Sequence, residues 1–183
     1  MRNRFVVLFV CVTSAVSVAV LAQEKKEEPD AGTLKIDKVC TVGLPAKGFR
    51  WGEVRKIREI DGSSCICEKE GSTSRVTLTI EGRTRKLDGE RSGGIKGHYN
   101  GLITPLKEAG FKILKTTRPE LKSPISDTLE FSVSGQDPKG KPFFVRSVTH
   151  FRRQTYLFQA FAETEEEALQ LAKVNETLKE TSP

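Results

Sequence analysis

Hydrophobic and polar residues alternate most cleanly over 75–80, where Val76, Leu78 and Ile80 are interleaved with Arg75, Thr77 and Thr79. A period of two predicts a strand with one buried and one polar face. Leu129, Phe131 and Val133 repeat the pattern over 128–134. Residues 142–151 and 154–161 are longer runs rich in aromatic and β-branched side chains, which suit strands. The intervening Gly135 to Lys141 is turn chemistry throughout. Shorter strands are predicted over 34–36, 39–42 and 111–117. A charged strand over 55–60 pairs with 64–68 as a hairpin across Asp61-Gly62.

A helical period appears twice. Ile95, Tyr99, Leu102, Ile103, Leu106 and Ala109 line one side of a predicted helix, with Lys96, Asn100, Lys107 and Glu108 opposite. Gly97 and Gly101 weaken it, Pro105 predicts a kink or the start of a second piece, and Gly110 ends it. In the closing helix, Thr164 and Glu167 form a capping box, and acids in the first turn suit the helix dipole. Ala168, Leu171, Ala172, Val174 and Leu178 form one buried stripe there. Strands, helix, strands, helix, with hairpins between neighbouring strands, predict an α+β domain in which an antiparallel β-sheet packs against helices.

The amino-terminal residues break from this alternation. Residues 1–22 run from Arg2 and Arg4 into an apolar stretch that ends at Val20-Leu21-Ala22, the layout of a signal peptide cleaved before Gln23. The competing reading is an uncleaved anchor, and both place the remaining chain outside the cytoplasm. Val10 before Cys11 argues against a lipoprotein. Residues 23–33 carry dense charge with no aromatic or β-branched side chain before Thr33, so they form a solvated tether. A single domain is expected over 34–180.

Composition narrows the function classes. With 37% hydrophobic residues, disorder throughout is excluded. Losing Arg2 and Arg4 with the leader lowers the net charge from +6 to +4. That is short of the clustered excess of a nucleic-acid binder, and no aromatic stacking platform accompanies it. The basic residues recur as Arg55-Lys56-Arg58, Arg83-Arg85-Lys86, Lys112-Lys115 and Arg152-Arg153. Aligned, they would make one cationic face for anionic polysaccharide, phosphate or headgroups; as strand-edge guards they need no ligand.

Leu44-Pro45 leading to Gly48-Phe49-Arg50-Trp51, and a last strand over Tyr156 to Ala162 running straight into the closing helix, resemble the PsbP-like family. A nuclear-transport Ran-binding factor shares that fold. The resemblance spans about residues 34–180 and implies an α/β/α sandwich with a non-catalytic accessory or binding role. It carries no functional residue onto this chain, because no metal or partner motif of the family matches a position here. The export signal and tether depart from the Ran-binding branch.

The chemistry-bearing residues are few. Cys40, Cys65 and Cys67 remain after leader removal. In an oxidising compartment Cys40 is expected to pair with Cys65 or Cys67, a bridge worth about 3 kcal/mol. Cys65 and Cys67 share a face if Cys-Ile-Cys is a strand. The alternative is a soft copper or zinc site on that pair, completed by His98 or His150. His98 sits beside the apolar stripe of its helix and is expected to be partly exposed; His150 is expected to decorate a strand surface. No nucleophile–base set and no cofactor motif appears, so neither catalysis nor a cofactor is expected. Ser92-Gly93-Gly94 is a weak anion-binding signal, and Asn175-Glu176-Thr177 is a glycosylation sequon.

These features predict an exported, non-catalytic module for a protein partner or an anionic ligand. The alternatives are a metal-handling protein using Cys-x-Cys and a structural assembly subunit. Nucleic acid is not an expected partner, and a membrane is one only if the amino-terminal segment stays uncleaved.

Overall fold

The alternating segment becomes β6 (Arg75–Glu81), with Val76, Leu78 and Ile80 buried. In the computed structural model, residues 32–36, 38–58, 61–81, 91–121 and 127–181 are described. The predicted leader, nearly all of the tether, and the Arg83-Arg85-Lys86 cluster lie outside them.

The strands in chain order begin with β1 (Leu34–Ile36), β2 (Cys40–Val42), β3 (Arg50–Trp51), β4 (Arg55–Ile57) and β5 (Gly62–Glu68). After β6 come α1 (Arg91–Glu108), β7 (Lys112–Thr116), β8 (Glu120–Leu121) and β9 (Thr128–Gln136). The chain continues through β10 (Pro142–Phe151), β11 (Thr155–Ala162), α2 (Glu165–Ala172), a 3₁₀ turn (Lys173–Thr177) and β12 (Lys179–Glu180). Among the described residues, nine strands form one sheet in the order β3-β5-β6-β11-β10-β9-β7, with β4 on β5 and β8 on β9. A second sheet has the order β1-β2-β12. All the strand pairings are antiparallel. The fold is a sheet-rich α+β fold.

Two cores follow from the alternation of side chains. Val76, Leu78, Phe158, Ala160 and Val148 pack with Ala168, Leu171 and Ala172 of α2 and with Cys40 and Val42 of the small sheet. Phe131, Val133, Phe143 and Val145 pack with Leu102, Ile103 and Leu106 of α1. Val145 and Val148 lie three positions apart on β10, so the two cores occupy opposite faces of that strand.

Local chemistry explains the helix ends. α1 runs through Pro105 as one helix. It closes in a Schellman arrangement, with Gly110 N–H donating to the Lys107 carbonyl and Phe111 N–H to that of Leu106. Gly110 has φ 83°, a conformation glycine adopts without penalty. At α2 the predicted cap forms: Glu167 N–H donates to Thr164 Oγ1 at 3.2 Å.

The predicted continuation of that helix to Leu178 does not form. The chain tightens into the 3₁₀ turn after Ala172 and then pairs with β2. Asn175 Nδ2 donates to the Ala172 carbonyl, and Thr177 Oγ1 to that of Val174. Short polar side chains competing for backbone carbonyls favour such endings over a further α-turn.

Candidate functional site

The two sheets meet at a cleft of about 180 Å³, assembled from three turns. The β4–β5 hairpin supplies Lys56, Arg58, Asp61 and Ser63. Its turn closes where Asp61 N–H donates to the Arg58 carbonyl at 3.2 Å, with Asp61 at φ 47°. Aspartate tolerates that left-handed backbone better than most side chains, which accounts for Asp61 before Gly62. The β1–β2 turn contributes Ile36 and Val39, tied by a Val39 N–H to Ile36 carbonyl bond of 3.0 Å. The β10–β11 turn brings in Gln154, whose carbonyl accepts from Arg152 N–H at 3.0 Å.

The cleft therefore has two characters. Ile36, Val39, Ile57 and the buried Ile80 make an apolar wall, and Ser63, paired with Ile80 across β5 and β6, is buried beside it. Lys56, Arg58 and Asp61 are exposed side chains of the lining. Gln154 Oε1 is buried and accepts no hydrogen bond from the described residues. An amide oxygen removed from water without a donor costs about 1–3 kcal/mol.

Only part of the predicted cationic face comes together. Arg55 and Lys56 lie on β4 and Arg58 just after it, at one end of the large sheet, near the turn that holds Arg152 and Arg153. Lys112 and Lys115 lie on β7, at the opposite end of the strand order. Ser92-Gly93-Gly94 falls within the first turn of α1.

The cysteines do not pair. Cys40, Cys65 and Cys67 are all free and buried. Cys65 and Cys67 do share a face of β5, but adjacent same-face residues stand about 6.7 Å apart with parallel Cβ vectors, which a disulfide cannot bridge without distortion. Cys40 belongs to the other sheet, where it pairs with Glu180. The Cys65 thiol donates to the Gly52 carbonyl at 3.1 Å. Burial pushes Cys40 and Cys65 up to about 11 and Cys67 up to about 12, with the neighbouring Glu180 adding to the rise at Cys40. These are protonated core thiols.

The suggested metal ligands also stay apart. Cys65 and Cys67 face the α2 side of the sheet, in the same core as Val148. The His98 ring stands edge-on to Phe151 at 5.3 Å. Phe151 lies on the opposite face of β10 from Val148, so the sheet separates His98 from the thiols. Among the described residues, no group of three or more His, Cys, Asp or Glu side chains gathers as a metal site would require.

His150 departs from its expected surface position: it is only 8% exposed. Its Nδ1 lies 3.1 Å from Thr128 Oγ1 and its Nε2 2.9 Å from Asn175 Oδ1. The sequon is thereby built into the fold. Asn175 bonds to His150, while Thr177 Oγ1 accepts from Gly43 N–H at 2.8 Å.

Gln154 and Ser63 were not distinguishable as site residues in the sequence. Gln154 reads as the first residue of a strand and Ser63 as part of a hairpin, and only the pairing of β5 with β6 and of β6 with β11 brings them together. No protein-family model matches the chain and no curated protein matches it, so the functional reading rests on the chemistry of the cleft.

Proposed function

We propose that this protein is an exported, non-catalytic binding module that holds a small anionic ligand in the cleft between the two sheets. The observation that carries this reading is the placement of Lys56 and Arg58 on the lining of a cleft that also has an apolar wall. Two cations beside low-dielectric walls attract an anion more strongly than either would on a flat surface. The layout of residues 1–22 supports export, and buried thiols that are hard to ionise are compatible with an oxidising compartment. The opposed cores on β10 support the α/β/α sandwich implied by the PsbP-like resemblance, as does an α2 that follows β11 after only two residues.

Titration of the isotope-labelled protein with butyrate, followed by amide chemical shifts, tests the proposal. Shifts are expected at Ser63, Ile80 and Gln154, weakening as sodium chloride is raised from 20 to 300 mM. Replacing both Lys56 and Arg58 by Ala should abolish them. Shifts that survive the double replacement, or that fall elsewhere on the protein, would remove the cleft as the anion site.

A further inference from the structure

β7 ends the large sheet, and among the described residues no strand pairs with its outer edge. The opposite end is made of β3 and β4, strands of two and three residues, whereas β7 offers five. Thr117 N–H donates to the Ser132 carbonyl at 3.0 Å, so the adjacent Thr116–Val133 pair is of the non-hydrogen-bonded kind. The Thr116 N–H and carbonyl therefore point away from β9, into the open edge. Unpaired backbone of that kind is a template for another strand.

The side chains along this edge fall into two kinds. Ile113 packs with the α1 core, and Thr116 Oγ1 accepts from Tyr99 Oη at 3.1 Å, so both face α1. Neighbours on a strand alternate, which puts Lys112 and Lys115 together on the other face. The register shifts between Ile113 and Lys115 and leaves Leu114 on the bulge, 62% exposed. Across β9 from the lysines stand Gln136 and Ser134, which carry no charge. Neither lysine is in an ion pair among the described residues. Arg118 extends the positive charge beyond β7 as an exposed side chain. The acid in the turn after β9, Asp137, is held through Oδ1 by the backbone N–H groups of Lys139 and Lys141.

We infer that β7 is a docking edge for an extended acidic segment of a partner protein, one in which carboxylates alternate with β-branched side chains. Carboxylates at every second position meet Lys112 and Lys115 on one face. The β-branched residues between them continue the apolar row that Ile113 begins on the other. Lysines on an edge also guard a sheet against its own kind, and the two effects have one cause. A second copy brings lysine against lysine, whereas an acidic strand brings opposite charge, so the edge selects its partner by sign. An anionic membrane surface would answer the lysines but leave the Thr116 backbone groups without a strand. This edge lies at the far end of the strand order from the cleft and does not depend on it.

The test uses the isotope-labelled protein and blocked peptides of about eight residues, an ordinary strand length. A peptide of alternating glutamate and valine should shift the β7 amides and slow exchange of the Thr116 N–H. Its lysine–valine counterpart should bind at least about tenfold more weakly. In the double variant Lys112→Glu, Lys115→Glu the preference should reverse, a result that an unfolded variant cannot produce. N-methylation of every glutamate or of every valine keeps the charge and removes the donors of one peptide edge, so one of these two analogues should fail. If both bind as the parent does, charge alone holds them and the inference falls. It falls equally if neither peptide moves the β7 amides, or if raising the protein concentration alone shifts them. Phosphatidylglycerol vesicles shifting those amides where the glutamate–valine peptide does not would overturn it as well.

Discussion

His150 Nε2 donates to Asn175 Oδ1 at 2.9 Å, joining the middle of the large sheet to the 3₁₀ turn. The direction follows from Asn175 itself: its Nδ2 already donates to the Ala172 carbonyl, which leaves Oδ1 as the acceptor. The other ring nitrogen, Nδ1, lies 3.1 Å from Thr128 Oγ1. One buried ring thus links β9, β10 and the carboxy-terminal turn, which in turn positions β12 against β2.

Asn175→Ala removes the oxygen that accepts from His150 Nε2–H in a buried setting. A loss of about 1–3 kcal/mol is expected, read as a lower urea midpoint at unchanged slope. An unchanged midpoint would show that this bond does not hold the turn in place.

The thiols give a chemical prediction with a sign. Burial raises all three above the ordinary thiol value of 9.0, so they stay protonated in the folded chain when an unfolded chain would already ionise. The unfolded state then binds fewer protons, and stability falls as pH rises from about 9 through 11. Each thiol steepens the fall by up to about 1.4 kcal/mol per pH unit. Tyr156, raised by burial and by its hydrogen bond to Glu180, acts in the same direction. Iodoacetamide at pH 8 should leave Cys40, Cys65 and Cys67 unmodified in the native protein. After denaturation without reductant it should modify all three, whereas a single modified thiol would mean that two of them are bridged.

Gly135 is set by a close approach. A Cβ there would lie 1.9 Å from the Lys112 carbonyl oxygen, at the place where the β7–β9 register shifts between Ile113 and Lys115. Backbone must move to admit even a methyl group, so Gly135→Ala is expected to cost at least about 2 kcal/mol. Thermal unfolding measures this directly. Gly71→Ala serves as a control for left-handed backbone strain without a clash, since nothing lies within 4 Å of its Cβ position and its φ is 72°. If the two glycines prove equally tolerant, β7 does not sit against Gly135.

The sequence revealed local structure far better than long-range assembly. β6 and β10 were legible because each reads as a strand from its own residues, and the α2 cap because Thr164 and Glu167 are three apart. β3, β8 and β12 are two residues each and carry no period. The carboxy-terminal stripe misled for a related reason: Val174 and Leu178 are buried as predicted, but through a 3₁₀ turn that side-chain hydrogen bonds impose. The cleft was the least visible feature. Lys56 and Arg58 could be marked as cations, but their meeting with Gln154 depends on β6 pairing with β11, across a long separation along the chain. Such pairing is chosen by the whole packed sheet, as is the burial of His150.

Beneath α1 the sheet carries polar groups that no bond repays. Ser147 Oγ, Thr149 Oγ1 and Thr155 Oγ1 are fully buried and have no hydrogen-bond partner among the described residues. Ser147 and Thr149 are two apart on β10, and Thr155 lies opposite Phe151 on β11, so all three share the face that α1 covers. A hydroxyl in this position bears its desolvation cost without return. Thr149→Val keeps the side-chain shape while deleting the unpaired group, and a gain of about 1 kcal/mol is expected in urea unfolding. Thr128→Val should show the opposite sign, because it removes the hydroxyl that lies 3.1 Å from His150 Nδ1. If Thr149→Val destabilises the protein instead, its hydroxyl has a partner in solution and the polar floor beneath α1 is hydrated.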